Sequence, residues 1–256
     1  MTVTLSWLGH STVTIDLPGA RLLTDPLLRR RAGPLVRRHP APRPESWQSP
    51  DAVLLSHLHH DHCELSSLRM VPEAAVYSSP RNARWLRRRG VPAAGLPDSS
   101  WLPLPCGERV ELRQVRADHR HRPMPHRPND AHGHLIRTPD VTVWAVGDTS
   151  LYDEMATVPE LLGRRLDVIL VPISGWGPRL SAGHLDGPQA ARACGLARAR
   201  WALPVHWGTL HLPGQQQRPR GWMDRPRQEF EEALTELAPD CTPIDLRPGE
   251  SWSLPG

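Results

Sequence analysis

Lysine is absent from the chain, so all 31 basic positions are arginine. The 29 prolines and 19 glycines beside this missing residue suggest a GC-rich coding bias rather than a surface selected to bind nucleic acid. The short basic runs Arg29–Arg31 and Arg87–Arg89 have no interleaved aromatic residues and no accompanying nucleic-acid module. We therefore expect both runs to be solvated, and we expect no nucleic-acid partner.

Long hydrophobic runs and closely spaced cysteines are missing as well. No apolar run approaches the ~20 residues that a membrane helix requires, and the segment Met1–Leu8 lacks the basic region and cleavage site of a signal peptide. The four cysteines are scattered without a CxxC pair, which argues against a structural zinc knuckle. We expect a cytoplasmic protein with reduced thiols and no membrane span, and nothing in the sequence indicates an oligomeric state.

The order of the predicted elements favours an α/β protein. Hydrophobic residues make up 39% of the 256 positions, which suits a single domain over residues 1–256. The Pro/Arg-rich segment Pro26–Pro50 predicts a long loop. Apolar patterning predicts strands at Val3–Leu8, Thr12–Asp16, Arg21–Thr24, Ala52–Leu55, Val110–Arg116, His134–Arg137, Val141–Val146, Asp167–Val171, Trp201–Val205, Thr242–Leu246 and Ser251–Leu254, and helices at Glu64–Met70, Pro80–Arg89, Pro188–Ala197 and Pro226–Leu237. Strands in each half with helices after them indicate two packed sheets covered outside by helices.

Metal-binding residue types are concentrated directly after the predicted strand Ala52–Leu55. In a loop, alternate residues such as His57 and His59 can face one ion. Asp61 and His62 can then turn towards a second ion, which leaves His60 facing away. Imidazole and carboxylate together suit Zn²⁺, Mn²⁺ or Fe²⁺. A histidine-rich solvent loop is the alternative, but more distant segments agree with a metal site.

The segment from His57 to His62 matches the HxHxDH motif of the metallo-β-lactamase superfamily. Four further segments resemble the other motifs of that superfamily and occur in the same order: Leu22–Pro26, Ala117–His119, Ala145–Thr149 and Pro204–Thr209. The resemblance implies an α/β fold of four layers, αββα, in which two packed mixed sheets lie between outer helices. It also implies a dinuclear metal-dependent hydrolase.

One branch of the superfamily is resembled more closely. The segments Trp7–Thr12, Thr24–Pro26, Gly147–Thr149 and His206–Thr209 look like those of the N-acyl-phosphatidylethanolamine phospholipase D-like hydrolases and the ascorbate-6-phosphate lactonase-like proteins. Two further segments resemble this branch with one departure each. Val171–Pro178 resembles its Pro-Ile-Gly segment but carries Ser174 in place of glycine, and His184–Pro188 resembles its His-Met-x-Pro segment but has one inserted residue before the proline. These departures leave the substrate open.

Carried over residue by residue, the resemblance implies a complete two-metal site. The implied ligands of the first ion are His57, His59 and His119, those of the second are Asp61, His62 and His206, and Asp148 bridges both ions. Asp25 would accept hydrogen bonds from the histidine loop and fix its shape. Asp61 would also orient the attacking hydroxide, and His184 would contact the scissile or leaving group.

Each of these positions has a simpler interpretation. Asp25 could be a turn residue, Asp148 a helix cap, His206 a core histidine and His184 part of a surface loop. His121 competes with His119, which we favour by its distance from the preceding strand. The roles of His10 and His211 stay open between packing and function. Residues expected to be solvated or to serve packing alone are His39, His126 and His132 in Pro- or Arg-rich loops, and Trp176 and Trp207 beside the site segments.

The predicted function is hydrolysis of a small-molecule phosphodiester, ester or lactone. Two divalent ions, zinc before manganese or iron, would share a bridging hydroxide that acts as the nucleophile. One alternative is an iron-dependent redox or oxygenase member of the same fold, similar to persulfide dioxygenases, which uses fewer protein ligands. A nuclease and a non-catalytic binding protein are the others. The segments Leu28–Pro44 and His121–Asp130 are expected to form loops over the mouth of the site, where specificity is determined.

Overall fold

The computed structural model describes residues 3–97, 99–106, 109–119 and 126–255. Within these ranges the strands form two sheets of seven strands and one of three. The first sheet contains β1 (Thr4–Gly9), β2 (Thr12–Leu17), β3 (Ala20–Thr24), β6 (Ala52–Leu54), β7 (Ala75–Ser78), β8 (Ala93–Gly95) and β17 (Ser251–Ser253). The second contains β9 (Leu102–Pro103), β10 (Glu111–Arg116), β11 (His132–Arg137), β12 (Thr142–Ala145), β13 (Val168–Pro172), β14 (Trp201–Val205) and β16 (Thr242–Pro243). The small sheet is made of β4 (Arg31–Ala32), β5 (Leu35–Arg37) and β15 (Leu210–His211).

The two large sheets have the same plan. In the first, the order is β17-β1-β2-β3-β6-β7-β8, antiparallel up to β3 and parallel from β3 to β8. In the second, the order is β16-β14-β13-β12-β11-β10-β9, antiparallel from β9 to β12 and parallel from β12 to β16. Both are therefore mixed sheets whose parallel strands end at one edge.

Alternating side chains on the central strands explain why the first sheet is buried on both faces. On β6, Ala52 and Leu54 belong to the large core that includes Leu170 and Ala202 of the second sheet, whereas Val53 packs in a separate cluster on the opposite face. Successive strand residues point to opposite faces, so a continuous apolar run predicts a strand that is buried on both faces of the sheet. Each fully buried Val or Leu side chain contributes about 1.5–3 kcal/mol.

The α-helices of the described ranges cover the outer faces. They are α1 (Leu65–Leu68), α2 (Pro80–Arg87), α3 (Val158–Leu162), α4 (Gly187–Leu196) and α5 (Arg225–Leu237). Helix α2 packs on β7 and β8, and α4 packs on β13 and against α5. The approach of α4 to α5 is close, because a Cβ atom at Gly187 would lie 2.6 Å from the backbone nitrogen of Phe230. The layers run helix, sheet, sheet, helix, which confirms the predicted αββα fold.

Two sequence-based expectations are wrong. The segment Pro26–Pro50 is not a plain loop, since it contains β4, β5 and a 3₁₀ turn at Pro44–Ser46. Its sparse apolar residues Leu27, Ala32 and Leu35 point inward and pack together with Leu210, which stabilises the small sheet. His132 was expected to be solvated, but it begins β11 and is buried beside His134, with ring centroids 4.7 Å apart.

None of the described helices is long and apolar enough to span a bilayer.

Candidate metal centre

The predicted ligands follow the carboxyl ends of strands from both large sheets. Asp25 comes directly after β3 and His206 directly after β14, while His57, His119 and Asp148 each follow the end of β6, β10 or β12 by three residues. Because the strand ends meet in the cleft between the two sheets, residues far apart in the chain come together there. Local backbone strain marks this edge, since Asp25, His206 and His10 all have a positive φ.

One group of facing nitrogen atoms belongs to His57, His59 and His119. One nitrogen of each ring lies within 4.8 Å of the corresponding nitrogens of the other two. Nε2 of His119 and Nδ1 of His59 are 3.0 Å apart. His57 and His119 are buried and His59 is half-buried. Three imidazoles converging in this way could hold one divalent cation.

A second group contains His10, Asp61, His62 and His206, again with facing atoms within 4.8 Å of one another. The Nε2 atoms of His62 and His206 are 3.0 Å apart. Oδ2 of Asp61 lies 3.6 Å from Nε2 of His206 and 3.9 Å from Nε2 of His62. All four residues are buried. This group could hold a second cation.

The carboxylate of Asp148 lies between the two groups. Its Oδ2 atom is 3.1 Å from Nε2 of His62 and 3.3 Å from Nε2 of His206 in the second group. The same oxygen is 3.8 Å from Nε2 of His57 and 4.0 Å from Nε2 of His119 in the first. One carboxylate thus faces ligand atoms of both groups.

The outward nitrogen of each ring has a partner that fixes the orientation of the imidazole. These contacts are Ser56 Oγ to His57 Nδ1 (3.0 Å), Asn129 Nδ2 to His59 Nε2 (3.1 Å), His119 Nδ1 to the Gly183 carbonyl (2.6 Å), His62 Nδ1 to Asp25 Oδ2 (2.8 Å) and His206 Nδ1 to the Ser174 carbonyl (2.8 Å). For His62, His119 and His206 the partner is an acceptor, so Nδ1 carries a proton, and in the neutral ring the Nε2 lone pair points inward. Such outer partners are typical of metal-binding histidines.

The inward atoms fit a cation. Two neutral imidazoles that carry their protons on Nδ1 would present the Nε2 lone pairs of His62 and His206 to each other across 3.0 Å, which is unfavourable unless positive charge lies nearby. Nε2 of His57 and both carboxylate oxygens of Asp148 are buried without a hydrogen bond that satisfies geometric criteria. Buried polar groups are normally paired, so these atoms point to a cation held among them.

The pKa values of these groups also show that the centre favours a bound positive charge. Burial lowers the pKa of His57 well below its usual value, and the neighbouring His62 adds to the effect. Burial also opposes protonation of His62, but Asp148, Asp25 and Asp61 outweigh it and raise the pKa of His62 well above the usual value. Burial alone would raise the pKa of Asp148, yet the surrounding imidazoles, His206 foremost, lower it. The Asp148 carboxylate is therefore charged and attracts a cation.

Two further histidines contact this centre. Nε2 of His184 is 3.2 Å from Oδ2 of Asp148, while its Nδ1 lies 3.0 Å from the Ser181 carbonyl, so the predicted surface-loop alternative for His184 is wrong. Nε2 of His10 is 3.1 Å from Oδ2 of Asp61, and the His10 ring lies over that of His206 with centroids 3.9 Å apart. The backbone nitrogen of His10 binds Oγ1 of Thr209.

Two residues of the site, Ser56 and Asn129, were not predicted from the sequence. Neither is a typical metal ligand, and their part in the site is shown only by their contacts to His57, Asp25 and His59. His60 is exposed, as expected for a residue facing away from the ions. His121, the alternative to His119, lies outside the described residues. His211 lies on β15, and its Nδ1 contacts the carbonyl of Leu212, which favours a packing role for this residue.

Comparison with known proteins decides the family. The family model described as a β-lactamase superfamily domain matches residues 20–207, a span that includes every predicted ligand. The chain belongs to the metallo-β-lactamase superfamily. The order of the superfamily motifs along the chain, from Asp25 to His206, agrees with this assignment.

Relatives within the superfamily span almost the whole chain. A metal-dependent hydrolase of Nitratidesulfovibrio vulgaris is 30% identical, over 99% of this chain and 96% of the relative. The N-acyl-phosphatidylethanolamine-hydrolyzing phospholipase D 1 of Caenorhabditis elegans is 26% identical, over 96% of this chain and 74% of the relative. Among solved structures, a metallo hydrolase of Ignicoccus hospitalis superposes with a TM-score of 0.74 at 22% identity, over 100% of both chains, and shows the shared fold. The predictions of the family, the fold and a metal-dependent hydrolase are confirmed.

Proposed function

We propose that this protein is a hydrolase that uses two divalent cations to cleave a small-molecule ester, lactone or phosphodiester. The observation that carries the proposal is the position of Asp148, whose Oδ2 atom lies within 4.0 Å of imidazole nitrogens from both groups. A single-ion site would need only one of these groups. The second group and a carboxylate between them support a dinuclear arrangement.

The residues divide between the two cations by their facing atoms. His57, His59 and His119 would hold one cation, and Asp61, His62 and His206 the other, with Asp148 facing both. Imidazole with carboxylate favours zinc, and manganese or iron suit the same set. Two cations held by these neighbouring groups would lower the pKa of a water molecule and polarise the bond that is attacked.

The residues around the ligands have their own tasks. His10, whose pKa is lowered to about 3 by burial, is neutral near pH 7 and donates from Nε2 to Asp61, which fixes the orientation of that carboxylate. The Nε2 atom of His184 lies at the edge of the centre, and its side chain is 11% exposed, so a substrate can reach it. We assign His184 to hold or deliver a proton at the leaving group, a step that positioned histidines accelerate.

The first experiment is metal quantification of the purified full-length protein. The proposal expects two divalent cations per chain, and Asp148→Ala should lower metal content and abolish hydrolysis because both cations lose a shared carboxylate. Asp153→Ala is the matched control, since Asp153 is exposed on a short 3₁₀ segment and belongs to neither ligand group. One cation per chain in metal-replete protein, or an Asp148→Ala variant with unchanged metal content and activity, contradicts the dinuclear proposal.

The second experiment is a substrate panel for the metal-replete protein. It contains a phosphodiester, a carboxylic ester, a lactone and a β-lactam. The phosphodiester is included because the Caenorhabditis elegans relative is named as a phospholipid-hydrolysing phospholipase D. Turnover of the ester, lactone or phosphodiester that disappears with Asp148→Ala supports the proposed function.

A further inference from the structure

A cavity of about 210 Å³ opens beside the metal centre. On one side it is lined by His59, Asp61 and His184, which belong to the centre. A second part of the lining, the apolar wall, consists of Ala32, Pro34, Leu35 and Trp176, and His60, Ser181 and Ala182 complete the lining. The cavity is therefore continuous with the place where a scissile bond would be held.

The apolar wall is built by the small sheet. Ala32 lies on β4 and Leu35 on β5, and β5 pairs with β15. Ala32 and Leu35 pack with Leu27 and Leu210 in one cluster, and Trp176 packs against that cluster. Packing of this kind holds the wall in place before any ligand binds.

A buried arginine joins the small sheet to strand β1 and to the segment that follows β3. Nη1 of Arg37, the last residue of β5, donates to the carbonyl of Leu27 at 2.9 Å, and its Nη2 donates to the carbonyl of Leu8. Leu8 lies on β1, two residues before His10. Burial lowers the pKa of Arg37 to about 10, so the guanidinium stays charged near pH 7. The wall and the centre are thus linked through backbone carbonyls and cannot shift independently.

The chemistry of the lining selects the substrate. An apolar cavity of about 150 Å³ takes a ligand of the size of benzene, so the present cavity takes a phenyl ring or a short alkyl chain. We infer that the substrate carries an apolar group beside the bond that is cleaved, and that this group binds against Leu35 and Trp176. The inference rests on the proposed hydrolase function.

The experiment uses two homologous series on the metal-replete full-length protein. The first is hydrolysis of the methyl esters of acetic, butyric, hexanoic and octanoic acid, followed by acid release. The second is binding of the four free carboxylates, measured by calorimetry, which does not depend on turnover. Each CH₂ group that enters the cavity should raise kcat/KM and affinity about fourfold, until the cavity is filled. The heat-capacity change on binding should become more negative with chain length.

Matched variants locate the effect. Trp176→Ala and Leu35→Ala should each reduce the gain per CH₂ group to less than about twofold. Trp252→Ala removes a half-buried tryptophan from edge strand β17, where it packs against Trp201, and should leave the gain unchanged. A loss of the gain in the Trp252→Ala variant as well would contradict the assignment to this wall.

The experiment distinguishes failure of the apolar-subsite inference from failure of the proposed function. If acetate and octanoate bind equally and esters of all lengths react at the same rate, the apolar subsite is wrong while the hydrolase stands. If affinity rises with chain length but no ester, lactone or phosphodiester is cleaved, the subsite stands and the substrate classes of the proposed function are wrong.

Discussion

Oδ2 of Asp25 lies 2.8 Å from Nδ1 of His62. The same carboxylate accepts two hydrogen bonds from Ser56, one from the backbone nitrogen (2.7 Å) and one from Oγ (2.6 Å). Oγ of Ser56 in turn contacts Nδ1 of His57. Asp25 therefore orients imidazoles of both ligand groups without facing a cation itself.

The substitution Asp25→Asn tests this arrangement. An amide keeps the shape but brings N–H donors towards the Nδ1–H of His62 or the hydroxyl of Ser56, so at least one imidazole must turn. We expect affinity for the cations to fall about 10–100-fold, measured by competition with a chelator. Asp51→Asn is the control, because Asp51 is exposed and accepts only from the backbone nitrogen of Arg21 in the described contacts. If the Asp25→Asn variant and the native protein bind the cations with equal affinity, Asp25 serves only as a turn residue.

Substitution of His10 should affect the two cations unequally. His10 contacts Asp61 and lies over His206, which both belong to the second group, and its facing nitrogen is grouped with theirs rather than with those of His57, His59 and His119. His10→Ala should weaken one of two binding steps about 10–100-fold, whereas His10→Gln keeps a donor near the Asp61 carboxylate and should recover part of the loss. Stepwise titration with a zinc indicator measures both steps. Equal weakening of both steps would show that His10 only supports the fold.

Substitution of His184 separates catalysis from metal binding. His184→Ala should retain both cations, because His184 lies next to Asp148 but belongs to neither of the two main ligand groups. It should lower kcat/KM about 10²–10⁴-fold if the imidazole transfers a proton. The measurement pairs metal content with kinetics, and the exposed His126→Ala is the control. Loss of one cation would make His184 a ligand, as its place with His119 and Asp148 would permit.

The buried His132 should make folding stability depend on pH. Burial lowers the pKa of His132 to about 3 in the folded protein from 6.5. Between these values the unfolded chain binds a proton that the folded chain excludes, so the free energy of unfolding falls as the pH drops below 6.5 and continues to fall towards 3. This group alone should cost about 2 kcal/mol between roughly pH 7 and pH 5.

The variant His132→Phe should remove that part of the pH dependence. Urea unfolding of the native protein and of the variant at both pH values gives the difference directly. His126→Phe is the control, since His126 is exposed. An unchanged pH slope in His132→Phe would mean that His132 becomes protonated in the folded protein or that burial does not lower its pKa.

The sequence predicts the ligand-bearing strand ends well because chemistry and local pattern coincide there. Apolar runs such as Ala52–Leu54 end in polar motifs, and that change is visible within a few residues. Contacts formed across the cleft are not visible in this way. Asn129 reaches His59 from a segment 70 positions away, and its amide side chain gives no signal of a metal site.

His132 illustrates a second reason why the sequence-based prediction was incomplete. Its flanking prolines and arginines favoured a loop, but His132 and His134 alternate with Gly133 and Leu135 as on a strand, and this period of two would have extended β11 to its observed start. The small sheet was missed for a related reason. Strands β4 and β5 are two and three residues long, too short to establish a period, and they are stabilised by a partner strand that lies far along the chain.

The matching strand order of the two large sheets has a mechanical consequence. Asp25, His57 and His62 are carried by the half of the chain that forms the first sheet, whereas His119, Asp148 and His206 are carried by the half that forms the second. Cations held between them would cross-link the halves, much as a disulfide joins distant segments. A chelated protein should then open first along this cleft, so that amide hydrogens at the ends of β6, β12 and β14 exchange early while those in the sheet centres stay protected.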